Sequence, residues 1–327
     1  MDIVLMLLGF VLLVVGGEYL VRASVGLSFK LNISKMVIGL TVVSFATSVP
    51  ELLVSLNAAL QGAPSIAINN VIGSNIANIG LVLGITAICT TIEVDKSFYK
   101  FNWPALIIFS LLIYYFLQND QQLSSFEGWI LFIALLVFIF LLLKKFRTSK
   151  AEDSDAIIDA LSKVSYFKIL IWLAIGGVAL YFGADWLVNG AVVVAQKMGV
   201  SEAVISVSLV AVGTSIPELA ASKIASSGIL ELAASIIAVI KKEKAISLGN
   251  LIGSNIFNIG SVLGLTSILK TIPVVDTQIL SRDVLWMLVF AIVIMPLVLI
   301  SKRHKLQFKE GFLLVLLYSV FIILVFL

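Results

Sequence analysis

Ala46-Thr47-Ser48-Val49-Pro50-Glu51, followed further on by Asn70-Val71-Ile72-Gly73-Ser74-Asn75-Ile76-Ala77-Asn78-Ile79, occurs twice in this chain. The second copy reads Gly213-Thr214-Ser215-Ile216-Pro217-Glu218, then Asn250-Leu251-Ile252-Gly253-Ser254-Asn255-Ile256-Phe257-Asn258-Ile259. Each copy sets a carboxylate, hydroxyls, carboxamides and a proline inside strongly apolar sequence. Such groups are costly to bury unless something satisfies them. Their recurrence as a set therefore marks a built site.

The surrounding composition says where that site lies. Of 327 residues, 60% are hydrophobic and 13% charged, against about 25% charged in a soluble domain. This is a polytopic membrane protein with little soluble mass. The net charge of +3 comes from bases in short loops, where they act as topology signals and imply no nucleic-acid partner. The single Cys89 excludes an intramolecular disulfide and a cysteine-rich metal cage. Met1-Asp2-Ile3 carries no basic region, so the first apolar run reads as a retained helix.

A span needs about 20 apolar residues. The expected fold is an all-α polytopic membrane protein with ten transmembrane helices. These fall at 3–20, 35–60, 65–90, 103–117, 128–143, 168–188, 203–240, 245–272, 284–300 and 311–327. The second and seventh are broken near Pro50 and Pro217. Eighteen of the 22 Lys and Arg residues fall in loops after odd-numbered spans, among them Lys144, Lys145, Lys241, Lys242 and Arg303. Positive-inside then places both termini outside and the linker 144–167 in the cytoplasm.

The halves repeat. Glu18 matches Asp185, and Thr47, Ser48 and Glu51 match Thr214, Ser215 and Glu218, all at an offset of 167. Five spans per half make the repeats inverted, 1–143 and 168–327. Inverted repeats with interrupted helices are the pattern of secondary transporters, whose sites lie at the repeat interface. Farther along, Asn70/Asn250, Ser74/Ser254 and Asn78/Asn258 have an offset of 180, so the second copy holds 13 extra residues. Their source is a tandem duplication within about 218–235: Pro217-Glu218-Leu219-Ala220-Ala221-Ser222 recurs as Leu230-Glu231-Leu232-Ala233-Ala234-Ser235. The upstream frame nominates Glu218 and the downstream frame Glu231. In a continuous helix 13 residues turn about 220° beyond whole turns, so the two acids would occupy nearly opposite faces. Glu218 is favoured because Thr214 and Ser215 stand beside it.

Chemistry follows from the residue types. Pro50 and Pro217 remove a backbone donor and free carbonyls in the preceding turn, near Thr47 and Thr214. Ser48, Ser215, Glu51 and Glu218 add side-chain oxygens, and Ser74, Asn78, Ser254 and Asn258 supply more on spans 3 and 8. Oxygen donors without His or Cys suit hard cations such as Ca²⁺, which takes 6–8 oxygens, and disfavour zinc or copper. Two carboxylates balance one Ca²⁺; Na⁺ ions or protons are alternatives. Gly73 and Gly253 read as points of close helix approach. Bland readings compete: a lone intramembrane acid can be structural, and Gly-Ser-Asn can be a packing motif. Glu18 and Asp185 read as structural partners or interfacial anchors, Lys223 as a consequence of the duplication, and His304 as a surface residue. The acidic linker lacks the spacing of a calcium-binding loop and reads as solvated.

At these two motif pairs the chain resembles the cation/Ca²⁺ exchanger superfamily, over essentially its whole length and in the short prokaryotic form. The resemblance implies that Glu51 and Glu218 are the central Ca²⁺ ligands, with the backbone oxygens of Thr47 and Thr214. It implies Na⁺ sites lined by Ser48, Ser74, Ser215 and Ser254, with Asn78 and Asn258 at the middle position, and spans 1 and 6 sliding as a gating pair. Ala46 and Asn69 stand where the family usually has Gly. Asn258 stands where some sodium-coupled members have Asp, which leaves Na⁺ or H⁺ coupling open. The function expected is Ca²⁺/Na⁺ antiport by alternating access in a prokaryotic plasma membrane, with no cofactor and no obligate protein partner. The alternatives are H⁺/Ca²⁺ exchange and, from another class, a transport-inactive structural or binding protein. An intramembrane hydrolase is disfavoured because the spans hold no nucleophile with its base.

Overall fold

Backbone N–H and C=O groups in hydrocarbon must be satisfied within the segment, which makes helix the form an apolar run takes. The computed structural model describes residues 2–31, 33, 35–94, 98–145, 164–197, 244–301 and 304–326. Span 203–240 lies outside the described residues, and with it Thr214, Ser215, Pro217, Glu218, Glu231 and the duplication. The other apolar runs are helical.

The first helices are α1 Asp2–Leu31, α2 Lys35–Ile38, α3 Ser44–Thr47 and α4 Val49–Leu60. Next come α5 Pro64–Ala77, α6 Gly84–Cys89, α7 Trp103–Asp120, α8 Ser125–Lys145 and α9 Tyr166–Lys197. The last are α10 Lys244–Phe257, α11 Gly264–Leu269, α12 Val284–Ile300 and α13 Phe308–Phe326. Wider π turns join several of them: Gly39–Val43, Asn78–Leu83, Phe98–Asn102, Asn258–Leu263 and Ile279–Asp283. Among the described residues seven helical stretches are long and apolar enough to cross a membrane, or eight if Gly39–Thr47 and Glu51–Leu60 form one broken span.

The chain divides into two compact units, Met1–Thr47 with Phe146–Asn250 and Ser48–Lys145 with Leu251–Leu327. In the first, α1 packs along α9. Their backbones meet at Gly16 and Gly176, where an added Cβ would lie 2.9 or 3.0 Å from the opposite glycine carbonyl. Tyr19 faces Trp172 with ring centroids 6.5 Å apart. Glu18 pairs with Arg22 one turn along the same helix, the structural role expected of it.

The second unit is built from reciprocal contacts. The strand β1 Ile92–Glu93 pairs antiparallel with β4 Lys305–Leu306, and β2 Gln122–Leu123 pairs with β3 Ile272–Pro273. Helix alone is expected from the sequence. The four two-residue strands form where helices end and their flanking backbone needs partners. Helix α6 packs on α13, and α11 packs on α8. A Cβ on Gly84 would lie 3.1 Å from the Gly311 carbonyl, and one on Gly264 would lie 3.3 Å from that of Gly128. Gly80 lies under Phe290 and Tyr318, as Gly260 lies under Leu135 and Phe109. The contacts match in pairs within this unit. Gly73 is not a point of close approach among the described residues, where a Cβ on it would meet nothing within 4 Å. The close approaches fall about two and three turns later, at Gly80 and Gly84, where neighbouring backbones and rings crowd the helix.

Candidate cation site

Helix α4 starts where the chain breaks. Ser48 leaves helical geometry at φ −87° and ψ 1°, the sparsely populated region that often holds functional residues. Pro50 follows in the first turn, where a missing N–H costs least. Glu51, next in the chain, is fully buried at 0% exposure, and Ser48 is buried with it. The Ser48 hydroxyl has no hydrogen-bond partner among the described residues.

Asn70 fastens α4 to α5. Its amide nitrogen donates to the Glu51 carbonyl at 3.2 Å and to the Ser55 hydroxyl at 2.9 Å. Ser55 in turn donates to the Ala67 carbonyl at 3.2 Å. This lacing fixes the turn of α4 that carries Glu51. Helix α4 also packs against the π turn Asn258–Leu263, which opens on another predicted site residue.

Four asparagines of the second unit bond to one another. The Asn255 amide donates to the Asn75 carbonyl, and the Asn75 amide donates to the Asn255 carbonyl, both at 3.2 Å. The Asn78 amide donates to Asn255 Oδ1, and the Asn258 amide donates to Asn75 Oδ1, both at 3.1 Å. All four are buried. The Oδ1 atoms of Asn78 and Asn258 accept no hydrogen bond among the described residues. Two buried carboxamide oxygens therefore remain as acceptors, one from each repeat, and Asn78 and Asn258 each open a π turn. Single π turns inside helices occur frequently at functional sites.

The predicted residues thus separate into groups. Ser48, Glu51, Ser74, Asn78, Ser254 and Asn258 are buried members of one unit. Thr47 belongs to the other, where its hydroxyl donates to Asn250 Oδ1 at 3.2 Å, beside a Ser44 bond to the Asn250 carbonyl at 3.0 Å. Thr214, Ser215, Glu218 and the alternative Glu231 lie outside the described residues. Asn70, Asn75, Asn250 and Asn255, which a search for cation ligands passes over, are hydrogen-bonded to Glu51, Asn258, Thr47 and Asn78 respectively. The signal was available: each pair recurs at an offset of 180.

Among the described residues no group of three or more His, Cys, Asp or Glu side chains gathers as a metal cage. The donor set is amide, hydroxyl and carboxylate oxygen, which is chemistry for hard cations. A helical membrane protein with this oxygen-lined interior defines the class of cation transporters. The sequence pattern of the family described as sodium/calcium exchanger protein matches residues 1–144, 168–228 and 225–327. Its second-half match divides within the stretch where the 13-residue duplication is read.

Among relatives, a putative antiporter, CaxA, of Alkalimonas amylolytica is 36% identical over 94% of this chain and 93% of its own length. The sodium/calcium exchanger MaX1 of Methanosarcina acetivorans is 30% identical over 99% of this chain and 98% of its own. A structure of the sodium-calcium exchanger NCX_Mj, soaked with zero Na⁺ and Ca²⁺, superposes with a TM-score of 0.78 at 30% identity, covering 98% of this chain and 97% of that one. The chain belongs to the sodium/calcium exchanger family, within the cation/Ca²⁺ exchanger superfamily. It is accordingly a secondary transporter of the membrane, not an enzyme.

Proposed function

We propose that this protein exchanges Ca²⁺ for Na⁺ across a prokaryotic plasma membrane by alternating access, with inward Na⁺ driving Ca²⁺ out. The proposed architecture has ten helices in two inverted repeats, 1–143 and 168–327, joined by the cytoplasmic linker 144–167, with both termini outside. Glu51 and Glu218 are assigned as the central Ca²⁺ ligands with the backbone oxygens of Thr47 and Thr214. Ser48, Ser74, Ser215 and Ser254 are assigned to flanking Na⁺, and Asn78 and Asn258 to the middle position. Glu218 is preferred to Glu231 because it keeps the hydroxyl frame of its own repeat.

The observation that carries this reading is the pair of buried Oδ1 atoms on Asn78 and Asn258 that accept no hydrogen bond among the described residues. An amide oxygen in that state costs about 1–3 kcal/mol, and a desolvated cation removes the cost. A proton carrier has less use for it, because a neutral carboxamide does not titrate near physiological pH. The two-carboxylate site also matches the charge of one Ca²⁺. The test is Glu51→Gln, which keeps shape and removes charge. Loss of Ca²⁺ exchange from protein that remains folded in the membrane is expected, and wild-type flux would refute the assignment.

A further inference from the structure

We propose that Asn75 and Asn255 are positioning residues that turn the Asn78 and Asn258 oxygens toward the transported cation. The inference rests on the cation-site reading above and adds two residues that reach the cation only through others. A carboxamide side chain turns over at little cost, because its terminal torsion is broad. Left alone, Asn78 would present its –NH₂ as readily as its oxygen, and an –NH₂ group repels a cation.

The network removes that freedom through a chain of forced choices. A backbone carbonyl only accepts, so the Asn255 amide must offer nitrogen to the Asn75 carbonyl, 3.2 Å away. The other end of that amide, Oδ1, then faces Asn78. Asn78 must answer with its nitrogen, at 3.1 Å. Its own oxygen is left at the opposite end, fully buried and accepting no hydrogen bond among the described residues. The same logic runs from the Asn255 carbonyl through Asn75, at 3.2 Å, to Asn258, at 3.1 Å. The Asn75 amide also contacts Met287 Sδ at 3.7 Å, a weak acceptor that does not compete with a carbonyl. Each repeat therefore sets the oxygen of the other, through a reciprocal Asn75–Asn255 pair from which Asn78 and Asn258 branch.

The coupling is pairwise and crossed: Asn255 acts through Asn78, and Asn75 acts through Asn258. Reconstituted full-length protein, with Na⁺-driven Ca²⁺ uptake measured against Ca²⁺ concentration, tests this. Asn78→Ala and Asn255→Ala are each expected to raise the Ca²⁺ KM about tenfold, the scale of one lost hydrogen bond or ligand contact. The double variant is expected to match Asn78→Ala alone, because Asn255 has nothing left to orient. Effects that multiply in this pair would overturn the positioning role. Asn75→Ala with Asn78→Ala must instead multiply, since they act on different oxygens, and a plateau there would equally overturn the crossed wiring. If Asn255→Ala does not fold, Asn255→Asp serves. It keeps the shape and the acceptor facing Asn78, so in its background Asn78→Ala is expected to retain its full fold-effect. Loss of that effect would refute the proposal. An unchanged KM in Asn78→Ala itself would instead strike the underlying cation-site reading.

Discussion

Replacing Gly311 by alanine tests the frame that holds the asparagine network. A Cβ on Gly311 would sit 2.5 Å from the Gly84 carbonyl oxygen and 2.7 Å from the Ile88 nitrogen. Carbon contacts are most favourable at about 3.5–4.0 Å, so the intrusion is close to an ångström. The obstacle is backbone, which cannot rotate aside, and α13 must move away from α6. Overpacking of this kind costs about 1–3 kcal/mol. Helix propensity opposes it, because alanine is favoured over glycine by about 1 kcal/mol in a helix interior. Gly73→Ala carries the same propensity gain and its Cβ meets nothing within 4 Å. The difference between the two variants therefore isolates the contact, at about 1–3 kcal/mol or roughly 5- to 150-fold in the unfolding equilibrium. Reversible unfolding in mixed micelles, followed by loss of helical signal, measures it. Gly73→Ala is expected at or above wild-type stability and Gly311→Ala below it. Equal stabilities would refute the close-approach argument.

Three further outcomes are expected, two from the geometry and one from the sequence repeat. Gly128→Ala should lose stability as Gly311→Ala does, because its Cβ would meet the Gly264 carbonyl at 2.7 Å and the Ile268 nitrogen at 3.0 Å; thermal unfolding in detergent checks this. Asn70→Ala strips donors from the Glu51 carbonyl and the Ser55 hydroxyl, and should cost about 1–2 kcal/mol while lowering Ca²⁺ uptake. Retained stability and uptake would show that α4 is held in place without it. Glu218→Gln should abolish exchange while Glu231→Gln keeps most of it; the reverse pattern in vesicle flux would move the second carboxylate to the duplicated copy.

The large features were legible because hydrocarbon leaves few choices. Apolar runs at 65–90 and 128–143 became helices Pro64–Cys89 and Ser125–Lys145, and Pro50 announced the break that falls at Ser48. Helix α1 continues to Leu31, past the apolar run ending at 20. The apolar pattern marks what lies in lipid, whereas the helix continues for as long as α9 packs beside it. The π turns left no trace in the pattern, since a single wide turn shifts the helical period too little to read from one sequence. Ser74 and Asn78, one turn apart on one face, were nominated for their side-chain oxygens and by the family resemblance. Asn75, one residue from Ser74, sits on another face and went unnominated, although its work is to hold Asn258. Gly73 was misread because a glycine in sequence does not say whether its missing Cβ admits a helix or leaves open space.

The central claim is that Na⁺ drives Ca²⁺ through this protein. Everted membrane vesicles loaded with Ca²⁺ and given either a Na⁺ gradient or a pH gradient of matched size test it directly. Ca²⁺ movement coupled to the Na⁺ gradient, absent with the pH gradient and lost in Glu51→Gln, is the predicted result. Movement driven by the pH gradient alone, or no movement with either, would contradict it.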